Sequence, residues 1–395
     1  MYAAQVDLEP HLPAAVIVDA VRTPIGRRDG LLRDLHAVDL AARPLEALVA
    51  RTGIDPALIE DVIMGCVMQT GEQGLNLGRN AALAAGFPDS VAGTTVDRQC
   101  GSSQQAVHFA AQGVMAGAYD VVIAAGVESM TRVPTGVTAY QGPGQPFGPT
   151  VKDRYKLVPQ GISAGLVARQ WSLTREELDS IACDSHQRAA RAMKEGRFVD
   201  QIVPLDVGLA TAMTTDEGIR AEINGAELAR LRPAFEEDGV VTAGNASQIS
   251  DGAAAVLIMS ESKAEALGLE PMARFRSFSL VGVDPVTMLT GPILATERAL
   301  EKAGLSVDDI DLFEVNEAFA SVIGAWLADT DHTGDLWIRT NVNGGAIALG
   351  HPLGASGARL LTTLVHELKR TGKRYGLQTM GEGGGMANGL IVERL

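Results

Sequence analysis

VDRQCGSSQQAVHFAAQGVMAGAYDVVIAAG, residues 96–126, holds a turn, a helix and a buried strand, and its reading decides the fold. GTTVD at 93–97 leads into a turn that carries Cys100. Val107, Ala110, Ala111 and Val114 then recur at i, i+3, i+4, i+7, which predicts a helix over about 101–117 with one apolar face. VVIAAG at 121–126 is a continuous apolar run, the pattern of a strand buried on both faces. Strands linked by such a helix imply an α/β fold with a largely parallel or mixed sheet.

The same alternation extends outward. AAVIVDAV at 14–21 and DVIMGCVMQ at 61–69 read as strands, with a helix at 39–51 between them. From about 128 to 248 the alternation is lost. GVTAYQGPGQPFGP at 136–149 is a Pro/Gly-rich loop, and Thr174 with Glu177 forms a capping-box pattern that opens a helix at 174–196. This segment reads as an insertion. Strands resume at 253–260, 274–284, 310–315, 375–380 and 388–395, with a helix at 292–303 and another opening at NEAFASVIGAWLAD. His351 lies on a Gly-rich turn, GGAIALGHPLGASGAR, before a helix whose Leu361, Leu364, Val365 and Leu368 repeat the face seen after Cys100. The pattern predicts a structural duplication, with the site where strand ends meet helix N-termini.

The chain has 395 residues, enough for two or three units at roughly 100–200 residues each. Its formal charge is −15, which argues against sequence-independent nucleic-acid binding. An anionic ligand would need local Arg, Lys or helix N-termini to hold it against that field. Three cysteines, Cys66, Cys100 and Cys183, without CxxC spacing argue against a disulfide framework and a zinc site. The first residues carry no signal or transit pattern, no run is long and apolar enough to span a membrane, and the C-terminal IVERL is no recognised address. A cytoplasmic enzyme is the expectation.

Four features could carry chemistry. Cys100 at a helix N-terminus would feel the positive end of the dipole, which favours thiolate; the plainer reading is a small buried residue. His351, between Gly350 and Pro352, is held on a rigid turn and could activate a thiol, or could be structural. Asn316 opens NEAFA as a natural N-cap, with a water- or carbonyl-positioning role as the alternative. The turn GEGGGMANG at 381–389 offers backbone N–H groups for an oxyanion hole, or is simply a tight turn.

Taken together the residues resemble the thiolase family, the acetyl-CoA acetyltransferases and 3-ketoacyl-CoA thiolases. The match runs through DAVRTPIGRRDG near the start, QCGSSQQAV around Cys100, GVESMTRVP at 126–134, LRPAF at 231–235, TAGNASQISDGAAA at 242–255, NEAFA at 316–320 and the His351 turn. The resemblance implies a five-layered α-β-α-β-α fold of two similar halves. They would comprise 1–122 plus 249–273 and 274–395, with an inserted loop domain at 123–248. It implies acyl-CoA substrates, coenzyme A as substrate or product with no tightly bound cofactor or metal, and a homodimer or homotetramer in lipid metabolism.

By the same resemblance Cys100 is the nucleophile, and His351 activates it. His351 and a water on Asn316 form one oxyanion site; the N–H groups of Cys100 and Gly383 form the other. Coenzyme A would lie near Arg220, Phe235, Ala243 and Ser247. In that family the last turn reads Cys-x-Gly-Gly-Gly, and its Cys is the second catalytic thiol; here the turn begins Gly381-Glu382-Gly383. The expectation is an acyltransferase competent to form an acyl-Cys100 intermediate, with its carbon–carbon bond step impaired or altered. The alternatives are a CoA-thioester hydrolase, acyl transfer to a non-carbon acceptor, or a non-catalytic CoA-binding homologue. Gln160 and Gly165, in KLVPQGISAG at 156–165, stand where the family carries bulkier residues and hint at a roomier acyl pocket.

Overall fold

The computed structural model describes residues 13–395, so the expectation for the first residues lies outside the described part. The first half contributes β1 (Ala15–Arg22), β2 (Gly26–Arg27), β3 (Asp61–Gly65), β4 (Ala92–Val96), β5 (Val121–Ser129) and β6 (Ser250–Ser260). With them go helices α1 (Ala37–Thr52), α2 (Leu77–Ala84) and α3 (Ser102–Met115). Between β5 and β6 lie α4 (Gln160–Gln170) and α5 (Arg175–Lys194). The second half contributes β7 (Ala273–Gly282), α6 (Gly291–Ala303), β8 (Leu312–Val315), α7 (Ala320–Thr330), α8 (Ser356–Thr371), β9 (Tyr375–Glu382) and β10 (Met386–Arg394).

The strands run β4-β3-β5-β6-β1 and then β7-β10-β9-β8, with β2 pairing β6. Among the described residues the two groups of strands pair only through Val16↔Arg274 and Ile17↔Ala273, a short antiparallel seam between β1 and β7. The halves match strand for strand. β3 is parallel to β5, as β8 is to β9, and β5–β6 and β9–β10 are antiparallel. Even β4 has a counterpart, a lone parallel bridge from Phe313 to Thr340, placed before the His351 turn as β4 is placed before Cys100. The duplication read from the pattern is therefore a property of the fold.

Burial gives the layers. Leu40, Leu45 and Leu48 of α1 pack with Val62 and Val121 on one face of the first sheet. Its other face shares a core with Val107, Ala110, Ala111 and Val114 of α3 and with Leu361, Leu364, Val365 and Leu368 of α8. Phe275 and Leu390 of the second half join that same cluster. Ala299 and Leu300 of α6 and Ile323 and Trp326 of α7 close the far side. The result is an α-β-α-β-α stack, and α3 and α8 are its central layer.

Those two helices touch at their N-termini. A side chain on Gly357 would run into the backbone of Gln104, and the Ala358 N–H donates to Ser103 Oγ at 2.9 Å. Cys100 and His351, each just ahead of one of these helices, are thereby brought to the same end of the central layer.

Two element boundaries differ from the sequence reading by four residues. The strand expected over 61–69 ends at Gly65, because the Val67 and Met68 N–H groups turn to the Glu128 carboxylate, each at 3.0 Å, instead of to a ladder. The helix expected from Asn316 starts at Ala320. The Thr174–Glu177 capping box forms as predicted. Among the described residues no helix is long and apolar enough to cross a membrane.

Candidate active site

Cys100 follows a turn that is bound to itself. Gln99 takes φ 50°, the left-handed region uncommon for a residue with a side chain. Asp97 Oδ1 accepts its N–H at 2.7 Å, and the Ser102 hydroxyl accepts from Arg98 N–H at 2.9 Å while donating to Gln99 O at 2.6 Å. Three groups lie against the Cys100 sulfur: the backbone N–H of Cys100 itself, that of Gly383, and the Gln160 amide. Gln160 Nε2 is buried and has no hydrogen-bonding partner among the described residues. The two N–H groups expected to form an oxyanion site are thus near enough to the thiol to favour its ionised form.

The helix-dipole expectation of a ready thiolate is reversed. Burial, and second to it the Glu382 carboxyl, push the Cys100 thiol up to about 12, so it rests as S–H. A helix end offers only partial charge, and desolvation of a sulfur 5% exposed outweighs it.

His351 stands on a turn that only glycine permits, since Gly350 has φ 105° and is crowded by Ser250 and Ile25. Its Nδ1 lies 2.6 Å from Ser356 Oγ, and that hydroxyl donates to Pro352 O at 2.9 Å. The single serine hydrogen being used, Nδ1 carries the imidazole proton and donates it to Ser356, which leaves Nε2 a free acceptor. Asn316 Nδ2 faces that Nε2 at 3.4 Å. Burial, then the charge of Arg359, lower the His351 pKa to about 3, so the ring is neutral. A neutral imidazole with an unprotonated Nε2 is able to accept a proton there.

Asn316 is not an N-cap. It is buried, its N–H donates to Thr379 O at 3.1 Å, and its Oδ1 has no partner. The cap reading fails because the chain stays extended through Phe319 before α7 begins. Its neighbour Glu317 is structural: the carboxylate accepts from Ser185, Asn341 and the Ile347 N–H.

Gly381 and Glu382 lie on opposite faces of β9. A Cβ on Gly381 would point at Pro292, 3.4 Å from its Cδ, whereas Glu382 reaches beneath Gly101 at the start of α3. The segment that Gly381 faces also anchors α4, through Ser163 Oγ donating to Thr287 O at 2.7 Å.

Arg220, Phe235, Ala243 and Ser247 all line one cleft of about 660 Å³. Arg27 and Arg28 line it too, so the local positive charge that an anionic ligand requires is present. The acyl-pocket hint is corrected in part. The space beside Gly165 is filled by Glu236, which pairs with Arg169 at 2.9 Å, so this glycine leaves no vacancy.

Sequence reasoning missed Ser356, which sets the histidine tautomer, and Gln248, whose carbonyl accepts the His351 N–H at 3.3 Å. It also missed Arg27 and Arg28. Both lie within DAVRTPIGRRDG, a stretch that gives their position in the chain but no direction of side chains. Cys66 and Cys183 are buried and unpaired, and no group of three or more His, Cys, Asp or Glu among the described residues could hold a metal.

Comparison with known proteins agrees with this arrangement. Residues 15–262 match the thiolase N-terminal domain and residues 269–394 the thiolase C-terminal domain. The steroid 3-ketoacyl-CoA thiolase FadA6 of Mycobacterium tuberculosis is 48% identical over 391 residues, covering 96% of this chain and 94% of that protein. An acetyl-CoA acetyltransferase of Chromobacterium violaceum is 45% identical over 391 residues, covering 96% and 99%. The crystal structure of the Bacillus anthracis acetyl-CoA acetyltransferase superposes with a TM-score of 0.89 at 40% identity, covering 98% of this chain and all of that one. A duplicated five-layer fold, matched by both domain models and by relatives over nearly its whole length, places this chain in the thiolase family of acyltransferases.

Proposed function

We propose that the protein takes an acyl group from acyl-CoA or 3-ketoacyl-CoA thioesters onto Cys100, and that Gly381 impairs the carbon–carbon bond step. The observation that carries the reading is a buried Cys100 at the head of α3, with the Cys100 and Gly383 N–H groups near its sulfur and the His351 turn brought to the same end of the central layer. A thioester carbonyl there would place its developing oxyanion between two preorganised donors. His351 Nε2 takes the Cys100 proton and returns it to the departing CoA thiol, while Ser356 holds the tautomer that makes this feasible. Asn316 Nδ2, beside Nε2, would hold the water of the second oxyanion site. Coenzyme A would run along the cleft of Arg27, Arg28 and Arg220, its apolar arm against Phe235, Ala243 and Ser247.

The carbon–carbon step needs a further acid/base for the α-carbon. The family's second thiol would project from position 381, where this chain has only hydrogen, and Glu382 points to the other face of the strand. The test is intact-mass analysis after mixing with acetoacetyl-CoA or acetyl-CoA. An acetyl group on Cys100, lost in Cys100→Ala, with slow formation of carbon–carbon products, is the expected result. No acylation by either thioester would overturn the reading.

A further inference from the structure

We propose that Glu382 is held as a neutral carboxylic acid beneath Cys100, shares its proton with Asn388, and by its ionisation sets an upper pH limit on the reactivity of the nucleophile. Glu382 is fully buried, and both of its carboxyl oxygens lack a hydrogen-bonding partner. Asn388 Oδ1, on the neighbouring strand β10, is also buried and unpartnered, while its Nδ2 donates to Gln105 Oε1 at 3.3 Å. Glu382 Oε1 and Asn388 Oδ1 both press on the point where a Cβ of residue 101 would stand. Gly101 therefore makes the room in which these oxygens meet.

Two acceptors facing one another in an apolar site repel. One proton on Glu382 removes the conflict, because a carboxylic O–H donates to the amide oxygen and satisfies both groups. The charged groups that face Glu382 all come from the turn ahead of α3. Arg98 favours its ionised form and Asp97 opposes it, but burial outweighs both and pushes its pKa up to about 8. No ion pair joins Arg98 to Glu382 among the described residues; the guanidinium instead reaches Met386 Sδ at 3.7 Å. The other neighbours, Gln105, Asn388 and Met386, do not titrate.

Glu382 in turn acts on Cys100, whose thiol it pushes upward, second only to burial. Below about 8 the carboxyl is neutral and opposes the thiolate only weakly. Above it, the carboxylate and the thiolate compete for one dry pocket, so each ionises at the expense of the other. Glu382 is thus a positioning residue that acts through Cys100. The inference rests on the proposed function only for its choice of nucleophile.

The test is the rate at which iodoacetamide alkylates Cys100 in the native protein from pH 6 to 10, read by peptide mass spectrometry. An isolated thiol with so high a pKa gains tenfold per pH unit throughout this range. We expect the wild-type slope to drop above about 8. In Glu382→Gln, whose amide donates to Asn388 without a charge, the slope should persist, and alkylation at the alkaline end should be about 10-fold faster than wild type. Parallel profiles in the two proteins overturn the proposal. Should the variant fail to fold, an unbroken tenfold slope in wild type alone overturns it. Failure of acylation by acyl-CoA with these profiles intact would count against the proposed function instead.

Discussion

Gly381→Cys should restore what the proposed function says is missing, at no cost to the fold. The new Cβ would lie 3.4 and 3.5 Å from Pro292 Cδ and Cγ and 3.9 Å from Leu289 O, ordinary van der Waals contact on every side. The residue sits in β9 opposite Ala387, in a backbone conformation open to any side chain. Replacing a strand glycine without strain reduces unfolded-state entropy and is worth about 0.5–1 kcal/mol. Melting temperature should therefore hold or rise. A positioned acid/base contributes about 10²–10⁴-fold, or ~3–5 kcal/mol off the barrier. Thiolysis of acetoacetyl-CoA in the presence of free CoA, followed as acetyl-CoA formed, should quicken by that factor, while the rate of Cys100 acylation by acetyl-CoA, which breaks no carbon–carbon bond, changes little. Equal thiolysis by both proteins, with the variant folded, would refute the reasoning that position 381 supplies the proton.

Three further outcomes follow from the geometry. Ser356→Ala removes the acceptor that fixes the His351 tautomer, so acylation of Cys100 should slow by about 10-fold or more in stopped-flow CoA release, with melting temperature little changed. Arg220→Ala should raise KM for acyl-CoA by about 10-fold and weaken its salt dependence while leaving kcat intact, as expected for a contact made equally in ground and transition states. Glu382→Gln should alter stability as a function of pH. The folded-state pKa is raised from 4.5 to about 8, so between these values the native protein retains a proton that the unfolded chain releases, and wild-type stability falls as pH rises. The variant should match wild type below about 4.5 and exceed it increasingly up to about 8, approaching ~5 kcal/mol in urea unfolding; a difference independent of pH would contradict the neutral acid.

What was legible in the sequence was local or repeated. The Thr174–Glu177 cap, the apolar faces of α3 and α8, and the glycines around Cys100 and His351 depend on neighbours in the chain, and each formed where it was read. The Asn316 cap was equally local and still failed, because tertiary bonds to Thr379 and His351 hold it in extended backbone. Ser356 was opaque for a related reason. A serine at the start of a helix is an ordinary residue until the turn ahead of it folds the imidazole back onto its hydroxyl. The Gly165 hint failed because a missing side chain does not imply a hole: Glu236, seventy-odd residues away in sequence, occupies the space.

The protonation states constrain how such a site can work. A thiol at about 12 and an imidazole at about 3 cannot rest as an ion pair, so Cys100 and His351 begin as two neutral groups. The proton moves only when something pays the cost of separated charge, and in the proposed cycle that is the thioester carbonyl, whose oxyanion forms between the Cys100 and Gly383 N–H groups as the sulfur attacks. This argues for a nucleophile activated by its substrate and inert to adventitious oxidants at rest. The same logic limits Glu382. On the face of β9 opposite Gly381 it can tune the sulfur, so its ionisation and the chemistry of position 381 should be separable. In the double variant Gly381→Cys, Glu382→Gln, the gain in thiolysis and the loss of the alkaline limit should therefore combine multiplicatively, as independent sites do; strong coupling between them would place the carboxyl on the reaction path.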